Sequence, residues 1–289
     1  MACFDCPREC KEGHFCGKSD LGVRIAKVMR HFFEEPIICP KDKGCGAVFF
    51  SHCSLKCAYC QNYEISHLGS GNDFSIAELA QIFEKLDKSG VANIDLVTPT
   101  HQTSNILSAL NIYKPHIPVI WNTSGYEREE NIQKLAKYVD IFLFDFKYFN
   151  KNLSMRLSKA PNYFEICLKA LKKAREIVPK DEFKNGLMTK GIIIRHLILP
   201  NHTDDSIKIF EEIKKAIGTD IYISLMSQYS PYYKASEFED INRTLKPLEV
   251  KKVQLAVQKM GFEKGFAQEL SSNSKCYTPS FSQDNFWGL

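Results

Sequence analysis

The sequence lacks any long apolar run and any strong imbalance of charge. No stretch approaches the roughly 18 apolar residues of a membrane-spanning helix, so we expect no membrane anchor. Cysteine and acidic residues stand near the amino terminus where a signal peptide needs an apolar run, so we expect a cytoplasmic protein. The 38 Lys and Arg residues barely exceed the 34 Asp and Glu residues, which leaves a net charge of +4. Without a basic stripe interleaved with aromatic residues, the chain gives no support for a nucleic-acid partner.

The chain also lacks an internal repeat of fixed period and a low-complexity linker. These absences exclude a solenoid or propeller and leave no linker between separate domains. A length of 289 residues with 44% hydrophobic and 25% charged residues fits one large α/β unit. We therefore expect a core domain over residues 46–262, a cysteine-rich extension over 1–45, and a tail over 263–289 that packs on the core.

Six short apolar runs alternate with amphipathic segments along this core. The runs are residues 47–52, 94–98, 118–122, 140–146, 191–199 and 220–226. Such runs of β-branched and aromatic residues are typical of parallel strands covered on both faces. Helical periodicity lies between them, as over residues 75–90, where Ser75 is a candidate N-cap. Six β–α units are two short of a closed eight-unit barrel, so we predict an α/β fold with a partial, open (β/α)₆ barrel.

Cysteine is crowded at one end of the chain. Nine of the eleven cysteines lie within the first 60 residues, which in a reducing compartment indicates metal binding. Cys53, Cys57 and Cys60 follow the first predicted strand, at the barrel face where active sites form. Three thiolates on a [4Fe–4S] cluster leave one iron free to bind a small molecule. The alternative is a structural zinc that combines two of these thiols with two from elsewhere.

The stretch CSLKCAYC (53–60) resembles the cysteine motif of the radical S-adenosylmethionine (SAM) superfamily, whose members share a partial (β/α)₆ barrel. The resemblance implies a [4Fe–4S] cluster on Cys53, Cys57 and Cys60, with SAM on the open iron. It implies reductive cleavage of SAM to a 5′-deoxyadenosyl radical that abstracts hydrogen, with electrons from a donor such as flavodoxin or ferredoxin. It also places Tyr59 against the adenine, although packing of the loop is an equal alternative.

Other stretches resemble the pyruvate formate-lyase activating enzyme-like branch of this superfamily. They are CPREC (6–10), CQNYEIS (60–66), the turn WNTSGY (121–126), the D-x-K pair in FDFKYFN (144–150) and the strand IIIRHLIL (192–199). The resemblance implies SAM contacts from Asn122, Asp145, Lys147 and Arg195. It also implies a glycyl-radical enzyme as partner, with hydrogen abstracted from a backbone glycine. A buried guanidinium needs an anionic partner, which for Arg195 is the cofactor carboxylate or an acidic side chain.

One element of the family pattern is missing. The Gly-Gly-Glu turn that holds the amino group of SAM is replaced by VTPTHQT (97–103), so Thr98, Thr100 or backbone carbonyls would have to supply these contacts. This departure leaves another peptide, a small molecule or RNA open as the substrate. A non-catalytic protein with zinc at both cysteine groups is the contrasting class.

A second cysteine group precedes the barrel. Cys3, Cys6, Cys10 and Cys16 are spaced C-x₂-C-x₃-C-x₅-C, and four thiolates with short spacers can close a tetrahedral metal site. Structural zinc, an auxiliary iron–sulfur cluster and unligated thiols all remain open readings of this spacing. Cys39 and Cys45 lie just before the first predicted strand, where they would complete a second cluster or modify the entrance of the site.

Overall fold

The computed structural model describes residues 3–18, 22–267, 281 and 286–288. In chain order the strands are β1 (Val23–His31), β2 (Cys45–Phe50), β3 (Asn72–Phe74), β4 (Ile94–Val97), β5 (Val119–Thr123), β6 (Ile141–Asp145), β7 (Glu182–Lys184), β8 (Leu187–Leu197), β9 (Tyr222–Met226), β10 (Gly265–Ala267) and β11 (Trp287–Gly288). The α-helices are α1 (Tyr63–Ser66), α2 (Ile76–Lys88), α3 (Thr103–Ile112), α4 (Glu129–Leu135), α5 (Lys151–Ser158), α6 (Tyr163–Ile177), α7 (Thr203–Ile217) and α8 (Pro247–Lys259).

The strands form one mostly parallel sheet in the order β10-β9-β8-β6-β5-β4-β2-β1-β11. Its parallel centre consists of β2, β4, β5, β6, β8 and β9, which coincide with the six apolar runs of the sequence. Over the described residues the sheet ends at β10 and β11 without closing on itself. The predicted open six-unit barrel is therefore confirmed.

The helices cover the outside of this sheet. Helix α2 begins at Ser75, whose hydroxyl accepts from the Glu78 backbone N–H while the Glu78 carboxylate accepts from the Ser75 backbone N–H. This capping box leaves Leu79, Phe83 and Leu86 on the buried face. In the part of the chain that the structure describes, no helix is long and apolar enough to span a membrane.

Strand β1 lies within the stretch that sequence analysis assigned to an extension. It pairs antiparallel with β2 from Ile25↔Phe50 to His31↔Cys45, so the extension contributes a strand to the barrel sheet. The sequence did not predict this strand, because charged Lys27 and Arg30 interrupt its apolar pattern. Most of the predicted tail over 263–289, including Cys276, lies outside the described residues.

Candidate active site

The cysteine loop follows β2 at the carboxyl ends of the parallel strands. Cys53, Cys57 and Cys60 line the same cavity as Asp145, Lys147 and Arg195. The sequence separates these two groups by more than 80 residues, and the barrel brings them together because β2, β6 and β8 run in the same direction. The predicted cluster ligands and the predicted charged residues thus belong to a single site.

Each cysteine sulfur has a hydrogen-bond partner. These contacts are Leu55 N–H to Cys53 Sγ at 3.4 Å, Ser158 Oγ–H to Cys57 Sγ at 2.9 Å, and Ser66 Oγ with Cys60 Sγ at 3.2 Å. Hydrogen bonds to ligand sulfurs orient them and tune the potential of a bound cluster. The loop is therefore held in place by its own backbone, by α1 and by the end of α5.

Burial favours the protonated form of the Cys53 and Cys60 thiols. It raises the pKa of Cys53 to about 12 and that of Cys60 to about 11, and the neighbouring Cys57 adds to both shifts. Thiolates are soft ligands suited to iron–sulfur clusters or zinc, so the donor set fits an iron–sulfur group. Among the described residues, no three Cys, His, Asp or Glu side chains are grouped as ligands of one metal ion. A [4Fe–4S] cluster binds each thiolate at a different iron, so its ligands need not converge on a point.

Arg195 organises the charged wall of the cavity. Its Nε donates to Asp145 Oδ1 at 2.7 Å, its Nη1 to Glu34 Oε2 at 2.8 Å and its Nη2 to Asn122 Oδ1 at 2.6 Å. Lys147 Nζ donates to the other Asp145 oxygen at 2.8 Å. The anionic partners expected for Arg195 are therefore acidic side chains of the chain itself.

These pairs fix the charge of Asp145. Burial alone would raise its pKa, but Arg195 and Lys147 hold the pKa at about 2, so the carboxylate stays ionised. Burial lowers the pKa of Lys147, but Asp145 more than offsets this, so the pKa is raised. The wall thus presents a fixed ammonium group beside the cysteine loop.

The other predicted cofactor contacts lie at different depths. Tyr59 lines the cavity, and its hydroxyl lies 2.6 Å from the Tyr148 hydroxyl. Thr98 also lines the cavity and has a backbone φ of 60°, which non-glycine residues seldom adopt. Thr100 is buried, and its hydroxyl donates to Glu127 Oε1 at 2.6 Å. Thr100 is not among the described residues that line the cavity.

Sequence reasoning missed two acidic residues of this site. Glu34 and Glu35 line the cavity from the connection between β1 and β2. No motif marks them, and a pair of glutamates in a loop is ordinarily solvated. The available signal was the short apolar run at residues 37–39 that follows them, which alone does not separate a buried pair from an exposed one.

The amino-terminal cysteines lie close to one another and to the cysteine loop. Burial raises the pKa of Cys6 to about 12, and Cys16, Cys3 and Cys10 each contribute, so the four thiols are within electrostatic reach. Arg8 Nε donates to the Ser54 carbonyl at 2.9 Å, which fastens this segment to the loop. Cys39 and Cys45 lie elsewhere, in a buried cluster with barrel residues such as Ile120.

An open parallel barrel with three clustered thiols at its active-site end defines a barrel enzyme suited to an iron–sulfur cofactor. The comparison with protein families makes this specific: the chain belongs to the Radical SAM superfamily, whose family model matches residues 47–213, more than half of the chain. Members of this family bind a [4Fe–4S] cluster and SAM and need a reductant. The match begins at Ala47 in β2 and ends in α7, so it includes the cysteine loop and the charged wall.

Two individual proteins are also similar to this chain. The uncharacterized protein MJ0674 of Methanocaldococcus jannaschii is 36% identical over 231 residues, which cover 77% of this chain and 63% of the relative. The chain thus spans less than two thirds of that relative's length. The crystal structure of Streptococcus suis SuiB bound to precursor peptide SuiA has a TM-score of 0.51 at 13% identity, covering 75% of this chain and 47% of SuiB. At that identity the likeness shows the shared fold.

Proposed function

We propose that Cys53, Cys57 and Cys60 hold the [4Fe–4S] cluster of the family and that the adjoining cavity binds SAM. The observation that carries the proposal is the shared cavity, which joins the three thiols to charged residues from two further strands. When bound, the cluster and SAM supply a reductive cleavage that yields a 5′-deoxyadenosyl radical for hydrogen abstraction. Electrons would come from a flavodoxin or ferredoxin.

The residues of the chain would bind and orient SAM. Lys147 offers an ammonium group to the methionine carboxylate, and Asp145 holds that ammonium in place. Arg195 keeps Asp145 ionised and fixes the Asn122 side chain. Tyr59 provides an aromatic surface for the adenine. Thr98, which lines the cavity, stands where the family has its Gly-Gly-Glu turn, whereas the Thr100 hydroxyl of the same stretch bonds to Glu127.

The test is cleavage of SAM by the anaerobically reconstituted protein. We expect a brown protein that absorbs at about 400 nm, as thiolate-bound iron–sulfur clusters do. On addition of dithionite and SAM, it should release 5′-deoxyadenosine. Cys57→Ala should abolish both properties, whereas Cys167→Ala, which removes a buried thiol that does not line the cavity, should retain them. A colourless, zinc-loaded protein that leaves SAM intact would refute the proposal.

The finer assignment places the protein in the pyruvate formate-lyase activating enzyme-like branch. It is supported by the D-x-K spacing of Asp145 and Lys147 at the end of β6 and by their contact across 2.8 Å. The substrate would then be a backbone glycine of a glycyl-radical enzyme; another peptide, a small molecule or RNA is the alternative. Transfer of deuterium from a peptide containing dideuterated glycine into 5′-deoxyadenosine would support the glycine, and a peptide with deuterated alanine instead is the matched control.

A second metal centre at Cys3, Cys6, Cys10 and Cys16 is also part of this proposal. Mutual proximity of the four thiols supports it, although in the part of the chain that the structure describes no three of them are grouped around the position of one metal ion. Both zinc and an auxiliary iron–sulfur cluster suit thiolate ligands. Metal analysis of Cys57→Ala should show loss of the core cluster with metal retained at the amino terminus. If that substitution empties both sites, the two cysteine groups form a single centre.

The proposed division keeps 1–45 as extension, 46–262 as barrel and 263–289 as tail, in a cytoplasmic protein.

A further inference from the structure

The connection between β1 and β2 lies across the end of the barrel where the parallel strands begin. We call residues 32–44 the plug. Its Ile38 and Cys39 belong to a buried cluster with barrel residues, which are Cys45, Ile120, Ile141, Leu143, Met188 and Ile193. The Ile37 carbonyl accepts from the Met188 N–H at 2.8 Å, and the Ile38 carbonyl accepts from Asn93 Nδ2 at 2.6 Å. The plug therefore forms the floor of the cavity that has the cysteine loop at its other end.

One acidic side chain of the plug has an oxygen without a partner. Glu35 lines the cavity and is 7% exposed. Its carboxylate accepts a hydrogen bond from Ser224 on β9, but Oε2 has no partner among the described residues. A buried acceptor without a partner is unfavourable, so this oxygen points to a ligand that donates a hydrogen bond.

The wall above Glu35 continues this pattern. Met226, the last residue of β9, and Gln228, two residues beyond the strand, line the cavity. Alternate residues of a strand share a side, so Met226 lies on the same side of β9 as Ser224. The buried Oε1 of Gln228 also has no partner among the described residues. Met226 offers an apolar surface, and Glu35 Oε2 and Gln228 Oε1 offer hydrogen-bond acceptors. This combination suits an elongated ligand with a hydrogen-bond donor at its end.

The charges of the floor favour a cation. Arg195 lies within electrostatic reach of Glu35 and opposes the effect of burial on its pKa. The hydrogen bonds of Arg195, however, go to Asp145, Glu34 and Asn122, so among the described residues no cation is recorded in hydrogen-bond contact with Glu35. His31, 3.9 Å from Glu34, supplies no charge at neutral pH, because burial and Arg195 lower its pKa to about 4. Burial raises the pKa of Glu35 to about 7, and a neighbouring cation would favour its ionised form.

We propose that Glu35, with the Met226 and Gln228 side of the cavity above it, binds a primary ammonium group on an aliphatic stem of the substrate. The proposal rests on the proposed function, because it assumes that the cavity beside the cysteine loop receives a substrate. SAM itself is assigned to the part of the cavity lined by Lys147 and the cysteine loop. Glu35 would therefore select among substrates without holding the cofactor.

The experiment measures binding of three matched probes to the reconstituted protein by calorimetry: pentylammonium, pentan-1-ol and pentanoate. We expect pentylammonium to bind at least about ten-fold more tightly than the neutral alcohol, which corresponds to about 1.4 kcal/mol, and pentanoate to bind more weakly still. Glu35→Gln keeps the shape and the Ser224 contact and should abolish the preference for the cation. Glu35→Asp, which keeps the charge, should retain part of it. Glu263→Gln, at an exposed carboxylate that does not line the cavity, should bind like the unmodified chain.

The outcomes separate this proposal from the proposed function. Equal binding of pentylammonium and pentanol, or a preference that survives Glu35→Gln, would overturn the ammonium subsite. Competition between pentylammonium and SAM would also overturn it, because the two would then share one position. Failure to cleave SAM, with the cation preference intact, would overturn the proposed function and leave Glu35 as a cation-binding residue.

Discussion

Ser158 joins two parts of the site at the scale of single atoms. Its hydroxyl donates to Cys57 Sγ at 2.9 Å and lies 2.6 Å from the Tyr148 hydroxyl. Tyr148 in turn lies 2.6 Å from the hydroxyl of Tyr59. A buried chain of hydroxyl groups therefore runs from the cavity wall to one of the three thiols.

Removing the Ser158 hydroxyl should lower the reduction potential of the bound cluster. A hydrogen bond to sulfur stabilises the reduced, more negative cluster more than the oxidised one, and about 1 kcal/mol of this difference corresponds to roughly 40 mV for one electron. We expect Ser158→Ala to shift the potential negative by tens of millivolts in an anaerobic redox titration. Ser154→Ala is the control, since that buried hydroxyl of the same helix donates to the Lys151 carbonyl. An unchanged potential in Ser158→Ala would show that the contact does not act on the cluster.

Glu127 is the residue whose titration should be visible in stability. It is 1% exposed, and its Oε1 accepts from Thr100, Thr123 and Trp121 at 2.6, 2.5 and 2.9 Å. Burial raises its pKa from 4.5 to about 7, although these hydrogen bonds oppose the shift. Because the folded-state pKa lies above the unfolded value, its contribution is most favourable below about pH 4.5 and is lost as the pH rises through about 7.

Glu127→Gln should therefore stabilise the protein more at high pH than at low pH. The amide stays neutral, so the gain in free energy of unfolding should be about 2 kcal/mol larger at pH 8 than at pH 5.5. Anaerobic urea unfolding of both proteins, followed by circular dichroism, measures this difference. Glu263→Gln should show no such trend, because that carboxylate is exposed. A constant offset for Glu127→Gln at both pH values would contradict the assignment of the raised pKa.

At the scale of elements, the plug packs against the barrel strands, and the sequence analysis did not predict this packing. Ile38 is 1% exposed and packs at the start of the barrel strands. Ile38→Ala should lower the free energy of unfolding by about 2–5 kcal/mol, because it leaves a cavity in a packed cluster. Urea unfolding measures the loss, and Leu248→Ala, at a residue of α8 that is 79% exposed, should change stability by less than about 0.5 kcal/mol. Equal effects of the two substitutions would show that the plug is not packed as described.

The elements differ in how far the sequence predicts them. The six parallel strands were predicted because strands buried on both faces leave unbroken apolar runs, such as Ile192 to Leu199. Strand β1 was missed because its partner β2 and the plug determine its burial, and neither relation is local in sequence. The break between α5 and α6 falls near Pro161, because the residue before a proline is disfavoured in a helix.

The residues of the candidate site also differ in whether a local sequence pattern predicts them. Cys53, Cys57 and Cys60 were accessible to sequence reasoning because spacing on one loop carries their chemistry. The structure adds that Arg195 already has three acceptors, which include Glu34 from the plug 161 residues earlier. A contact over that sequence separation depends on the tertiary fold, so no local sequence pattern predicts it.

At the scale of the whole molecule, the barrel holds a network of largely buried charges. Asp145, Lys147 and Arg195 stand within one network, while ion pairs such as Lys88 with Glu84 lie exposed on helices. Surface pairs contribute little to stability, whereas a buried network fixes the orientation of its members. The molecule therefore places its charged, oriented groups beside the cysteine loop, where the proposed cofactor would bind.

The most direct test of the account is Mössbauer spectroscopy of the anaerobically reconstituted, ⁵⁷Fe-enriched protein before and after addition of SAM. If three cysteines hold the cluster, one of the four irons has no protein ligand and should change its signal when SAM binds, while the other three stay the same. The same change should be absent when Cys57→Ala is examined. Four equivalent irons that do not respond to SAM would contradict the central claim.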